Sequence, residues 1–183
     1  MPGIKPPPIF TAAAGLTFGG GSNAGSGGGA KIEHRVGVHA PAQVIWDIVA
    51  DLPSWGAWNP LYTKAEGDLR IGSVLTLELV LPGDRPRTIR PVILDWVPED
   101  QIHWRFSALG GMISSIRYIE IEILGEESCI LSNGELFGGL LGPRFANARR
   151  RALRRGFTEM GEALAARAEA AWRDRAQVPT SPA

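Results

Sequence analysis

From Lys31 onward, hydrophobic and polar positions follow patterns that mark out the elements of a fold. Ile32, His34, Val36 and Val38 alternate with polar or small residues, the period of two that belongs to a β-strand. The period then lengthens. Pro41 opens a helix at its favoured first position. Val44, Ile45, Ile48 and Val49 supply its apolar stripe, and Trp46 adds bulk. Asp51-Leu52-Pro53 ends it, because a proline pushes the residue before it out of helical geometry. A short helix or turn over Ser54 to Trp58 then runs into Asn59-Pro60.

Strand periodicity returns over Val74 to Leu81, with Leu75, Leu77, Leu79 and Leu81 on one face. The turn Pro82-Gly83-Asp84 sends the chain back through Arg87 to Val97, and Pro98-Glu99-Asp100 turns it again into Gln101 to Ala108. A register that sets Trp96 opposite Ile102, Leu94 opposite Trp104 and Val92 opposite Phe106 makes one face of this hairpin apolar on both strands. Ser114 to Leu124 and Ser128 to Phe137 form the last hairpin, turning at Gly125-Glu126-Glu127. With the strand over Ile32 to Val38 these make six antiparallel strands, and their unbroken series reads as a meander, which curls under its own twist.

Gly142-Pro143 starts a final helix that reaches about Arg173. Its buried face carries Leu153, Phe157, Met160, Leu164, Ala168 and Ala171. Gly156 and Gly161 each cost this helix about 1 kcal/mol against alanine, a choice that suits a helix bordering a cavity more than one filling space. Residues 1–30 are a Pro- and Gly-rich block that predicts a disordered tail, residues 31–173 one domain, and residues 174–183 a flexible end. The glycine run from Gly19 to Gly29 is no P-loop, because Ala30-Lys31-Ile32 stands where Gly-Lys-Ser/Thr is needed.

Composition narrows the picture modestly. Apolar residues make up 44% and charged residues 21%, and nineteen basic side chains balance nineteen acidic ones. Overall charge therefore selects no polyanionic partner. Cys129 is the single cysteine, which excludes an internal disulfide and a thiolate metal cluster, and it suits a cytoplasmic location. No stretch approaches the ~20 apolar residues of a membrane-spanning helix. Ile9 to Phe18 is too poor in large aliphatics for a secretory signal.

Three segments carry a resemblance: Val38-His-Ala-Pro-Ala-Gln-Val-Ile-Trp46, Asp51-Leu-Pro-Ser-Trp-Gly-Ala-Trp-Asn-Pro60, and Gly134-Glu-Leu-Phe-Gly-Gly-Leu-Leu-Gly142. In element order and in these segments the chain resembles the START-like superfamily, also called SRPBCC or helix-grip proteins. It is most similar there to the polyketide cyclase/dehydrase and lipid-binding members. The likeness spans about residues 31–170. It implies an α+β helix-grip fold, with a curved antiparallel sheet wrapped around a long C-terminal helix and two short helices after the first strand. It also implies a cavity for a hydrophobic or amphipathic small molecule, with no cofactor.

On that fold the concave face carries Leu77, Leu79, Val92, Leu94, Trp104, Phe106, Ile119, Ile121 and Leu131, joined by Phe157 and Met160 from the helix. These side chains either line a ligand cavity or fill a core. Trp58, with Trp55, either caps the cavity mouth or anchors a turn on the sheet. Arg117, Asn133 and Glu135 are polar on an otherwise apolar face, with Arg117 opposite Glu135 and Ile119 opposite Asn133. They are either a satisfied cross-strand group or the residues that orient a ligand and transfer a proton. His34, His39 and His103 lack metal-ligand spacing, and alternation places His103 outward. Arg149, Arg150, Arg151, Arg154 and Arg155 read as a solvated helix face, without the motifs of a nucleic-acid reader. A transient contact with acidic lipid headgroups is the alternative for this cluster. Binder and carrier, or polyketide cyclase/dehydratase, are the two functional classes that remain.

Overall fold

The computed structural model describes residues 29–177, so residues 1–28 of the predicted N-terminal tail and the last residues of the C-terminal one lie outside the described part, while Ala30, expected in the tail, begins the first strand. Strand β1 (Ala30–Val38) leads into helix α1 (Ala42–Ala50) and a 3-10 turn over Leu52–Ala57. Strands β2 (Tyr62–Glu66), β3 (Thr76–Leu79), β4 (Arg87–Ile89), β5 (Val92–Val97), β6 (Gln101–Ala108), β7 (Ile113–Gly125) and β8 (Ser128–Gly138) follow, and helix α2 (Gly142–Gln177) closes the fold. Helix α2 thus runs four residues past its expected end. Pro41 stands one residue before α1 in extended geometry, and its carbonyl accepts from the Val44 amide at 3.0 Å.

The strands form a five-stranded antiparallel sheet in the order β1-β8-β7-β6-β5 and a three-stranded one in the order β2-β3-β4. The expected single strand Arg87 to Val97 is divided at Arg90-Pro91, because proline has no amide hydrogen to offer a ladder. Its first part pairs with β3, while its second part joins the large sheet. Backbone bonds from Gly72 to Ile93, Ile93 to Ser73 and Leu75 to Pro91 tie the two sheets together at this bend. Strand β2, at Tyr62–Glu66, carries too short an apolar pattern to have been expected.

The last hairpin keeps the predicted register, with Arg117 opposite Glu135 and Ile119 opposite Asn133. The β5–β6 hairpin keeps it only in part. Trp96 faces Ile102, but a bulge at Leu94 brings Ile93, not Leu94, opposite Trp104, and Val92 opposite Arg105. Asp95 explains the slip. Its carboxylate accepts from the Trp96 amide at 2.9 Å and from the Gln101 side chain, so the strand folds around a polar residue. Ile93 therefore takes the core position, while Val92 and Leu94 are only half-buried.

One core runs between the large sheet, α1 and α2. Trp55, Ile45, Leu75, Leu77, Ile102, Ile119, Leu131, Met160 and Leu164 are all at most 1% exposed. The two glycines of α2 serve close approach there. A Cβ on Gly161 would lie 2.6 Å from His34 Nδ1 and 2.7 Å from Asn133 Nδ2. One on Gly156 would lie 2.9 Å from a Leu61 methyl. They let the helix press on its neighbours, and neither borders a cavity as the sequence suggested.

Candidate functional site

The concave face is divided along its length. At one end Ile119, Ile121 and Leu131 are buried in the hydrophobic core. At the other end the sheet and the first turns of α2 stand apart around a cavity of about 340 Å³. Helix α2 contributes Phe145, Arg149, Leu153 and Phe157, spaced four residues apart so that all fall on one face. Leu79, Leu81 and Ile89 come from the small sheet side, and Trp104, Phe106, Ile113 and Phe137 from the large one.

Of the residues singled out in the sequence, Leu79, Trp104, Phe106, Phe157, Arg117 and Glu135 line this cavity. Leu77, Ile119, Ile121, Leu131 and Met160 are packed in the core instead, and Val92 and Leu94 lie on the bulged edge strand. Asn133 is 1% exposed and sits behind Arg117. Trp58 does not reach the cavity. It packs edge-on against Trp55 at 6.1 Å, and Trp55 in turn lies 5.7 Å from Tyr62 and 6.4 Å from Trp104. The aromatic turn is therefore a buttress behind the cavity wall, not a cap over its mouth.

That turn also places a residue absent from the sequence-based list. The side-chain oxygen of Asn59 accepts from the Leu61 and Tyr62 amides, both at 3.0 Å, and so fixes Tyr62 with its hydroxyl toward Arg117. Ser115 is the second addition. It continues the inward face Ser115, Arg117, Ile119, Ile121 of β7 by simple alternation, and extending that face by two residues would have found it. Tyr62 had no such signal, since β2 is too short to show a period.

Arg117 organises the polar end. It is 2% exposed, and its guanidinium lies 3.9 Å from the centre of the Phe157 ring. Its Nε donates to the Tyr62 hydroxyl at 3.3 Å, and one Nη donates to Asn133 Oδ1 at 3.2 Å and to the Met160 sulfur at 3.3 Å. Asn133 is held in turn by donating to the Phe157 carbonyl at 3.1 Å. The other nitrogen, Nη1, is buried without a hydrogen-bond partner among the described residues.

Glu135 stands across the strand from Arg117, yet no ion pair among the described residues joins them. The satisfied cross-strand pair is thus not what forms. Burial pushes the Glu135 carboxyl above its ordinary range, while the Arg117 charge and the Ser115 hydroxyl draw it back. Burial likewise raises the Tyr62 phenol, against the opposing pull of Arg117. Tyr62 keeps its proton and, having accepted from Arg117, can donate toward the cavity. The site can therefore offer a guanidinium, a phenol, a hydroxyl and a reluctant carboxylate to one polar group of a guest.

At the rim, Asp84 pairs with Arg149 and with Arg87, the latter at 3.3 Å. Arg155 pairs with Glu159 at 2.6 Å, while Arg150, Arg151 and Arg154 are exposed. His103 is partly buried on the outer face of the sheet, 2.9 Å from Glu120. Among the described residues no group of three His, Cys, Asp or Glu side chains is placed to hold a metal ion. No helix among them is long and apolar enough to cross a membrane.

Comparison with known proteins places these features in context. Residues 29–169 match the model of a family described as polyketide cyclase / dehydrase and lipid transport. No curated protein matches the chain in sequence. Among solved structures, the chain is similar to the Zhui aromatase/cyclase from a Streptomyces species, with TM-score 0.64 and 20% identity over 84% of this chain and 99% of that one. It is also similar to norcoclaurine synthase from Thalictrum flavum, with TM-score 0.60 and 18% identity over 79% and 97%. A START superfamily protein from Mycobacterium smegmatis gives TM-score 0.55 and 20% identity over 81% and 99%. Identities this low speak for a shared fold.

Proposed function

The chain belongs to the polyketide cyclase / dehydrase and lipid transport family, and from that premise we propose that it binds one hydrophobic or amphipathic small molecule, lipid-like or polyketide-like, in the cavity between sheet and helix. The observation that carries this reading is the combination of an apolar cavity with a buried, incompletely bonded guanidinium at its inner end. Binding sites are typically apolar enclosures with a few placed polar groups that fix orientation. The protein acts in this reading as a binder or carrier. With its single free Cys129, it suits a reducing cytoplasm.

A second reading, turnover of a polyketide-like substrate by cyclisation or dehydration, is supported by Glu135. Its raised carboxyl lies beside Arg117, Tyr62 and Ser115, so a proton donor and a charge-stabilising group share one cavity. Native mass spectrometry of the purified protein, followed by denaturing extraction, tests the first reading. A co-purified apolar molecule near one-to-one is expected. A clean protein mass, with no thermal shift from a panel of lipids and aromatic polyketides, would overturn it. Glu135→Gln separates the two readings: a carrier keeps its ligand and has no turnover to lose, whereas an enzyme keeps the ligand and loses turnover.

A further inference from the structure

The charges around the cavity are unequal. Arg85, Arg87, Arg117 and Arg149 line it against two carboxylates, Asp84 and Glu135. Asp84 is engaged at the rim by Arg87 and Arg149. Arg117 is thus left among neutral groups. Tyr62 from β2, Asn133 from β8, and Phe157 and Met160 from α2 pack against it, with Glu135 across the ladder but outside ion-pair reach. A guanidinium taken out of water without a counter-ion is among the most costly arrangements a protein can hold.

We infer that the ligand supplies the counter-ion: the cavity selects a compact organic acid, whose carboxylate or comparable acidic oxygen docks on the incompletely bonded Arg117 guanidinium while its apolar body lies against Trp104, Phe106, Phe137 and Phe157. This rests on the reading of the cavity as a ligand site. Glu135 opposes the selection less than a solvated carboxylate would, because burial disfavours its charged form. Size adds a limit. A cavity of about 340 Å³ lies at the low end of the ~300–1,000 Å³ range of small-molecule sites. A two-ring aryl acid or a medium-chain fatty acid suits that space, and any longer tail must leave through the mouth.

The test is calorimetric titration at neutral pH with two matched pairs: 2-naphthoate against 2-naphthalenemethanol, and decanoate against 1-decanol. The acids are expected to bind at least about tenfold more tightly than the alcohols, the scale of a hydrogen bond to a charged group. Arg117→Met should abolish that preference while retaining the alcohols. Arg117→Lys, which keeps the charge and loses the planar fork, should reduce it and guards against a misfolded first variant. Alcohols that bind as tightly as the acids would overturn the inference and leave the cavity reading standing. A preference that survives both substitutions would place the anion elsewhere, on the surface arginines, and overturn it equally. If none of the four molecules binds, the cavity reading fails and this inference falls with it.

Discussion

Burial acts in different ways on the two side chains that share one rung of the β7–β8 ladder, Arg117 and Glu135. Arg117 finds a ring face, a phenol, an amide and a sulfur, and its charge is spread over all four. Glu135 finds little that favours ionisation, so its carboxyl holds its proton more tightly folded than unfolded. The sign of the consequence follows from linkage. Below the ordinary carboxyl value of 4.5 both states are protonated, and burial costs nothing. As the pH rises through 4.5 toward the raised folded value, the unfolded chain ionises first and stability falls. Above the folded value the full penalty is present. Glu135→Gln removes this dependence. Its melting temperature relative to the unsubstituted protein should therefore be higher at pH 7 than at pH 4, measured by calorimetry. An equal difference at both pH values would show that Glu135 ionises freely in the folded protein.

At the scale of elements, the decisive contacts are those where the helix backbone comes close to side chains of its neighbours. Helix α2 meets β1 and β8 through Gly161, against His34 and Asn133. Gly161→Ala gains roughly 1 kcal/mol of helix propensity, but overpacking of a close contact costs about 1–3 kcal/mol. The contact at 2.6 Å makes the second effect larger, so net destabilisation is expected in urea unfolding. This distinction could not be read from the sequence, where a helix glycine looks alike whether it faces a cavity or a neighbour. Hairpin registers were more legible. The β7–β8 pairing followed from alternation because its inward residues form one continuous run. The β5–β6 pairing was read correctly from Trp96 but lost at Leu94, since no hydrophobic pattern announces that Asp95 will bond to its own strand. Strand β2 was invisible for want of length. The polar residues Arg117, Asn133 and Glu135 stood out as exceptions on an apolar face, and the structure does bring Arg117 into hydrogen-bond contact with Asn133, with Glu135 opposite it on the ladder.

The whole molecule combines a filled half and a hollow half under one helix. Around Leu164, 0% exposed, truncation leaves a void in a close-packed core, and Leu164→Ala should cost about 2–5 kcal/mol. Phe145 is half-buried at the cavity, where space already exists, so Phe145→Ala should cost markedly less in denaturant unfolding while weakening ligand binding. Comparable losses at both sites would mean that the two halves are one continuous core. The sequence could not locate this division, because residues on both sides of it obey the same alternation. Which part of an apolar stripe is covered depends on where α2 and α1 come to rest. That resting place is set in part by the close approaches at Gly156 and Gly161, neither of which lines the cavity, although Gly156 lies beside the lining residue Leu81. Frame and furnishing are therefore specified by different residues. A lineage or a designer can exchange Leu79, Phe106, Ile113, Phe137 or Phe145 for others, and so change the guest, without moving the beam that holds the room open.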